Sequence, residues 1–255
     1  MSRMKTSARF AVCAGFAAGI VACAMPSHAY RMIQNTSVGR VTAGAAVTCS
    51  ASGGFAHWNT RNFSWYHNTA GQGSGKAAAL QSAMSSWTNV TSASHVLTYT
   101  GTTAAGFATD GVNTILWATG NGCTDPCLAV TALVLQSGQV IVESDISFNA
   151  SFSWRTDGGA YDVQTVATHE LGHSLGIHHT ELTSSPLPTM YTAYFGTDGR
   201  TLETDDRSAL QCSENRYPVG GGSCVHAGGL CQSAAVCCSG YCSGVGGGLG
   251  YCVGG

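Results

Sequence analysis

Residues 169–179 read HELGHSLGIHH, which is the pattern H-E-x-x-H-x-x-G-x-x-H. Positions i and i+4 of an α-helix lie on the same face, so His169 and His173 can present two imidazole nitrogens to one ion. Gly176 accepts a positive φ, which ends the helix and brings His179 in as a third ligand. Three neutral histidines with one open coordination position predict a catalytic zinc ion rather than a structural one.

Glu170 directly follows the first histidine, the position typical of a general base that activates water. The preceding residues predict the helix that carries the motif, with Asp162 as its N-cap. The alternative without chemistry is a histidine-rich surface helix that binds no metal. A stripe of apolar residues at four-residue spacing indicates the buried face of this helix, namely Val163, Ala167, Leu171 and Leu175.

The same segment contains a second motif. Residues 172–176 also read G-x-S-x-G, which would make Ser174 the nucleophile of an α/β-hydrolase. That motif requires a buried strand before the serine and an acid and a histidine after it. Here the preceding residues favour a helix, and the far-downstream histidine, His226, lies in a cysteine-rich tail. We therefore prefer the zinc interpretation and keep the serine hydrolase as an alternative.

Three further segments resemble the metzincin clan of zinc endopeptidases, in particular its matrixin-like branch. Pro188–Tyr191 resembles the Met-turn, which implies that Met190 lies beneath the metal and that Tyr191 lines the specificity pocket. Residues 202–211 resemble the closing helix, with Thr204 as a candidate N-cap, and residues 140–149 resemble the strands before the active-site helix. The resemblance implies an endopeptidase for extracellular protein or peptide substrates, in which Glu170 is the general base for a water activated by zinc.

The pattern of the remaining chain predicts a mixed α/β (α+β) domain. This agrees with the metzincin-like fold that the resemblance implies, a twisted mixed sheet with an active-site helix and a closing C-terminal helix. Alternating or continuous apolar runs predict strands, and an amphipathic stretch predicts a helix before the active-site helix. The predicted strands cover residues 63–67, 96–100, 114–118, 128–135 and 139–148, and the predicted helix covers residues 77–90. The five tryptophans and His57, His67, His95 and His178 are expected to be structural.

The first 29 residues have the features of a secretory signal peptide: basic residues, an apolar run and Ser27-His28-Ala29 as a cleavage site. Cys23 ends a segment that resembles a bacterial lipobox, so a lipid anchor is the alternative. No later segment is long enough to span a membrane. The net charge of −2, without basic clusters, argues against nucleic-acid partners. We expect a secreted monomer.

Six cysteines of the tail predict a small unit held by disulfides. Residues 219–223 predict a Gly-rich linker between a catalytic domain at residues 30–218 and this unit at residues 224–255. The cysteine spacing resembles the knottin framework, and a zinc knuckle is the alternative that an exported chain disfavours. A secreted binding protein that displays this tail is the non-enzymatic alternative. The resemblance implies the pairs Cys224–Cys238, Cys231–Cys242 and Cys237–Cys252.

Four cysteines precede the tail in the predicted mature chain. Cys123 and Cys127 flank a turn, so we expect them to pair, which leaves Cys49 to pair with Cys212. Cys49 has an alternative role as a thiolate that blocks the zinc in a latent precursor, but the sequence around it lacks the Pro-Arg-Cys-Gly context of that switch. Calcium sites are left open, with the candidate ligands Glu143, Asp145 and Asp157.

Overall fold

The structure is a computed structural model. The predicted signal peptide up to residue 28, the lipobox cysteine, the linker and the cysteine side chains of the tail lie outside the described residues, so these interpretations stay predictions. The described residues are 29–49, 54–91, 94–123 and 126–214, with three short strands at 230–231, 242–243 and 250–252.

The described residues between 29 and 214 contain ten strands and three α-helices, joined by turns and loops. The strands are β1 (Arg31–Gln34), β2 (Gly39–Val41), β3 (Ala45–Val47), β4 (His57–Trp58), β5 (Asn62–Asn68), β6 (Val96–Thr103), β7 (Asn113–Ala118), β8 (Ala129–Gln136), β9 (Val140–Asn149) and β10 (Ile177–His178). The helices are α1 (Ala77–Thr88), α2 (Val163–Ser174) and α3 (Thr204–Glu214).

Most strands belong to one mixed sheet. Six of them lie side by side in the order β2-β8-β9-β7-β5-β6, and β4 pairs in parallel with the start of β9. The pairs β5–β6, β5–β7 and β7–β9 are parallel, whereas β8 and β2 are antiparallel to their neighbours. Strand β7 is a continuous buried run, as expected for a central parallel strand, and β5 alternates because only one of its faces reaches the core.

A smaller sheet, in the order β10-β1-β3, joins the first described residues to the end of the zinc motif. Arg31 and Met32 of β1 pair with His178 and Ile177 of β10, so this sheet lies immediately before His179. Met32 is fully buried. The predicted fold class is confirmed, but the sequence did not predict these N-terminal strands.

Helices α1 and α2 pack against each other and share the core of the sheet. The indole of Trp87 in α1 donates a hydrogen bond to the backbone oxygen of Thr168 in α2, at 2.8 Å. All five tryptophans are buried, as predicted. Helix α3 begins at Thr204, so Thr204 is not its N-cap; instead, the carboxylate of Asp206 in the first turn accepts the backbone N–H of Glu203 at 2.8 Å.

Two disulfides hold the described domain. Cys49 is joined to Cys212 in α3, and Cys123 is joined to Cys127 just before β8, with Cα–Cα distances of 6.0 and 5.3 Å. These are the pairs that the sequence favoured, and the bond at Cys49 leaves its sulfur unable to serve as a thiolate for the zinc.

The tail strands form a separate antiparallel sheet of three strands, β11 (Leu230–Cys231), β12 (Cys242–Ser243) and β13 (Gly250–Cys252), in the order β11-β13-β12. Among the described residues, none of the helices combines the length and the apolar character that a membrane crossing requires.

Candidate metal centre

Helix α2 is fixed at its N-terminus by the predicted cap. The carboxylate of Asp162 accepts the backbone N–H of Thr165 at 2.8 Å and also binds Arg200 at 2.9 and 2.6 Å. Burial alone would raise the pKa of Asp162, but the hydrogen bonds from Arg200 and Thr165 hold it below its usual value. The predicted apolar stripe is buried, which turns the opposite face of α2 toward the cleft.

The three predicted ligands converge on one point. The Nε2 atoms of His169 and His173 each lie 3.2 Å from the Nε2 atom of His179. Nitrogens bound to one tetrahedral zinc at about 2.0–2.1 Å lie about 3.3–3.4 Å apart, so the observed spacing suits that ion. This is the one group of three or more potential metal ligands found among the described residues.

Backbone carbonyls orient two of the imidazoles. The Nδ1 of His169 donates to the oxygen of Thr189 and the Nδ1 of His173 donates to the oxygen of Ile177, both at 2.8 Å. With the proton on Nδ1, each Nε2 carries a lone pair directed at the common centre. Burial, reinforced by the neighbouring imidazoles, lowers the pKa of His173 well below its usual value and that of His179 to about 3. His173 and His179 are therefore neutral near pH 7, as metal binding requires.

Gly176 makes the turn that brings in the third ligand. Its φ is +83°, in the region that favours glycine, and a Cβ at this position would overlap the carbonyl oxygen of Ala56. The carbonyl of Gly176 also accepts the N–H of Ile33 in β1 at 2.8 Å. The glycine of the motif is therefore required both by the turn and by the close approach of a second chain segment.

Met190 lies beneath the ligand helix. It is 1% exposed, and a Cβ on Gly172 would overlap its sulfur and approach Cζ2 of Trp87 at 2.8 Å. Asp206 of α3 holds this segment by accepting the backbone N–H groups of Thr189 and Met190 at 2.9 and 3.1 Å. The backbone oxygen of Thr189 accepts the hydrogen bond from Nδ1 of His169. The carboxylate of Asp206 therefore supports the imidazole of His169 through Thr189. Burial raises the pKa of Asp206 to about 6.

The neighbouring Asp205 supports the loop of the third ligand. Its carboxylate accepts the hydroxyl of Thr180 at 2.6 Å and the backbone N–H of Tyr30 at 3.1 Å. Thr180 follows His179 directly, and its own N–H donates to the oxygen of Met190 at 3.0 Å. Two adjacent acids of α3 thus position the segments on both sides of the metal centre.

Glu170 lies beside the candidate ligands, and its side chain accepts a hydrogen bond from Thr131. The hydroxyl of Thr131 in β8 lies 2.6 Å from Oε2 of Glu170 and 3.1 Å from the backbone oxygen of Glu170. Because a hydroxyl has one hydrogen, it donates to the nearer carboxylate oxygen. Burial raises the pKa of Glu170, while His169 and the Thr131 hydroxyl act in the opposite direction. A buried carboxylate whose pKa is raised is suited to accept and return a proton.

The metal centre opens into a cleft of about 840 Å³. One wall is the outer edge of β8, and Tyr191 is among the residues that line the cleft; its role in a specificity pocket stays a prediction. Residues of the N-terminal segment also line the cleft, namely Ile33, Val41, Thr42, Ala43 and Gly44. The cleft thus places a partly apolar surface beside three imidazoles and a carboxylate, as is common in ligand sites.

Comparison with known proteins agrees with this geometry. A family model described as Matrixin matches residues 57–213, more than half of the chain and all of the metal centre. This chain belongs to the matrixin family. Among curated matrixin relatives, karilysin of Tannerella forsythia is 38% identical over 65 residues, which are 26% of this chain and 13% of karilysin. Matrix metalloproteinase-26 of Homo sapiens is 38% identical over 68 residues, 26% of this chain and 25% of that protein.

Neutrophil collagenase of Homo sapiens is 36% identical to this matrixin over 84 residues, 32% of this chain and 17% of the collagenase. The chain therefore spans a quarter or less of the length of the curated relatives it matches. Six curated proteins match with comparable significance. The matching segment is thus a small part of each relative.

The matrixin fold argues against the serine hydrolase alternative. Ser174 ends a helix instead of following a strand, it is 1% exposed, and its hydroxyl donates to the backbone oxygen of Leu171 at 2.6 Å. A nucleophile must reach the substrate, and this side chain points into the core.

The acids that the sequence left open for calcium all face arginines. The Arg40 guanidinium lies 2.8 Å from Asp145 and 3.5 Å from Glu143, and Asp157 pairs with Arg155 at the surface. Burial raises the pKa of Asp145 to about 6, although Arg40 opposes this shift. Each of these acids thus already has an arginine partner, and calcium remains unassigned.

The structure adds residues that the sequence analysis missed. Thr131 donates to Glu170, Asp205 and Asp206 hold the segments around the candidate ligands, and Arg40 holds a strand beside the cleft. Asp205 and Asp206 could have been noticed in the sequence, because one carboxylate is enough to cap the first turn of α3 and the second is then available for another contact. Thr131 and Arg40 carried no such signal, since their partners lie 39 and 105 residues away along the chain.

Proposed function

We propose that this matrixin is a secreted zinc-dependent endopeptidase that hydrolyses peptide bonds of extracellular proteins, with Glu170 as general base. The observation that carries the proposal is the convergence of three imidazoles beside a buried carboxylate, in a cleft of about 840 Å³. The identity of the natural substrate is set by the walls of this cleft rather than by the motif.

The donor set fits zinc better than other common cations. Three converging imidazole nitrogens, two of them 3.2 Å from the third, are typical of zinc. Calcium and magnesium prefer oxygen ligands. His169, His173 and His179 would hold the ion. When bound, zinc supplies Lewis acidity, which activates water for attack on a carbonyl and stabilises negative charge.

The protein's own groups supply the proton transfers. The carboxylate of Glu170 takes a proton from the attacking water and returns it to the nitrogen of the leaving amine. Thr131 donates to Oε2 of this carboxylate, so the hydroxyl fixes its orientation and leaves Oε1 for the reacting proton. Such a hydrogen bond holds the general base in its reactive orientation, which lowers the entropic part of the activation barrier.

The substrate is proposed to bind as an extended strand along β8. Residues Ala129–Ala132 pair with β9 on one edge, and on their other edge no described strand pairs with them. This open edge borders the cleft beside Glu170. A peptide can therefore add to the sheet through main-chain hydrogen bonds, which favours cleavage of unfolded or flexible segments.

The proposal is tested by digestion of casein with purified full-length protein, with and without 1,10-phenanthroline. We expect activity that the chelator abolishes and that added zinc restores. Glu170→Ala should reduce turnover by at least about 10³-fold and leave the metal bound, because the residue acts on the proton and not on the ion. The matched control, Asp198→Ala, removes an exposed carboxylate and should retain full activity.

Two outcomes separate the alternatives. Activity that resists chelation and is blocked by a serine-directed reagent would support Ser174 as nucleophile and contradict the zinc mechanism. An inactive but zinc-loaded and folded protein would support a binding function of the tail. The predicted export is tested separately by mass spectrometry of the mature N-terminus, which distinguishes cleavage after Ala29 from lipidation at Cys23.

A further inference from the structure

Strand β2 occupies part of the same edge of β8 that borders the cleft. Gly39, Arg40 and Val41 pair antiparallel with Leu135, Val134 and Leu133, so they end directly beside the open stretch at Ala129–Ala132. A substrate strand that is antiparallel to β8 runs in the same direction as β2. The end of β2 therefore stands where the amino-terminal part of a longer substrate would continue.

Strand β2 is firmly held in this position. The guanidinium of Arg40 reaches across the sheet to the buried carboxylate of Asp145 at 2.8 Å, with Glu143 at 3.5 Å, and it lies 4.2 Å from the ring centre of Phe107. Both carboxylates are less than 3% exposed. Withdrawing β2 from the sheet would leave two buried acids without their cation, which is strongly unfavourable.

The turn after β2 is held as well. The side chain of Asn35 donates to the carbonyl of Ala43 at 2.6 Å, and a Cβ on Gly44 would meet the side chain of Ile33 at 2.6 Å and the carbonyl of Gln34 at 2.8 Å. This turn is thus packed against β1. Its residues line the cleft, and the side chain of Thr42 is exposed at the end of the groove.

We infer that β2 and the turn at Thr42–Gly44 form a fixed wall that closes the amino-terminal end of the substrate groove. The inference rests on the proposed peptidase function and assigns β2 a role in selecting substrates. The cleaved bond lies beside Glu170 and Thr131, within the open stretch Ala129–Ala132, so the upstream part of a substrate can pair with fewer than four positions of β8. It must then bend away from the sheet. Thr42 contacts the substrate residue at this bend.

The first test uses fluorogenic peptides that share one scissile sequence and carry one to eight residues upstream of the cleaved bond. We expect kcat/KM to rise until at most four upstream residues are present and then to change by less than two-fold. A further gain of ten-fold or more between four and eight residues would overturn the inference. Failure of the zinc-loaded protein to cleave any peptide would instead reject the proposed function.

The second test places a charge on the wall. Thr42→Glu should favour a peptide with lysine at the fourth or fifth upstream position over the same peptide with glutamate, and Thr42→Lys should reverse this preference. We expect ratios that change by about two- to five-fold, as for exposed charge pairs. Thr98→Glu, an exposed position on β6 at the opposite edge of the sheet, is the matched control and should leave the ratios unchanged. Identical ratios for the two Thr42 variants would contradict the contact.

A third measurement asks whether the substrate displaces β2. Hydrogen exchange of residues 39–41 is followed in the Glu170→Ala protein with and without the peptide that has eight upstream residues. A fixed wall predicts unchanged protection on peptide binding. A clear loss of protection would show that the substrate replaces β2 on the sheet, and this result would overturn the wall.

Discussion

Substitution of Gly176 by alanine tests how the fold delivers the third ligand. At φ +83°, a residue with a Cβ costs about 1–2 kcal/mol relative to glycine. The new methyl would also overlap the carbonyl oxygen of Ala56 and lie 3.0 Å from its carbonyl carbon. Ala56 cannot withdraw freely, because it is fully buried and its N–H donates to Ile33 at 2.7 Å. Overpacking of this kind costs about 1–3 kcal/mol more, so we expect a total loss of about 2–5 kcal/mol.

Gly138→Ala is the matched control for the conformational part of this cost. Gly138 has nearly the same φ, +79°, but nothing lies within 4 Å of a Cβ built there. Both variants gain the same small stabilisation from a less flexible unfolded chain. The difference between the two therefore measures the contact with Ala56 alone.

The free energy of unfolding is measured by urea titration of the metal-free and the zinc-loaded proteins. We expect Gly176→Ala to be at least about 1 kcal/mol less stable than Gly138→Ala. Its zinc affinity should fall by about 10–100-fold, as for other changes that disturb the support of a ligand. Equal stabilities of the two variants, within about 0.5 kcal/mol, together with normal zinc binding, would refute the reasoning about this turn.

Two further predictions concern the supports of the site. Thr131→Val removes the hydroxyl that orients Glu170 and should lower kcat about ten-fold with little change in KM. Thr131→Ser keeps a hydroxyl and should retain most of the rate. An equal loss of kcat in both variants would contradict the role of the hydroxyl. Asp162→Asn keeps the helix cap but loses the ion pair with Arg200, and should cost about 2–3 kcal/mol at pH 7. Because the folded pKa of Asp162 is lowered, its contribution is present above the unfolded value of about 3.9 and is lost as the pH falls through the folded value. Urea titrations of both proteins at pH 7 and pH 3.5 check this, and a difference that does not shrink at the lower pH would contradict it.

Local patterns in the sequence predicted the elements that carry the metal centre. The cap at Asp162 and the apolar stripe of α2 lie within one helix, so residues a few positions apart determine them. The same holds for the burial of β7, a short apolar run, and for the turn at Gly176. The structure has these features where the sequence indicated them, because their causes are local.

The parts that the sequence did not predict depend on distant partners. Strands β1–β3 are three or four residues long and depend on their partners: β1 pairs with the distant β10 and with β3, and β2 pairs with the distant β8. Arg40 carries no sign in the sequence that it will meet Asp145, 105 residues later. The start of α3 was misplaced by one residue for a local reason: the carboxylate of Asp206 accepts the N–H of Glu203, so it closes the first turn in place of Thr204.

The measurement that tests the central claim most directly is the metal content of purified, folded full-length protein. Inductively coupled plasma mass spectrometry should find one zinc per chain, and His179→Ala should lower that stoichiometry while the circular dichroism stays that of a folded protein. Folded protein that cleaves casein with no stoichiometric transition metal would contradict the account.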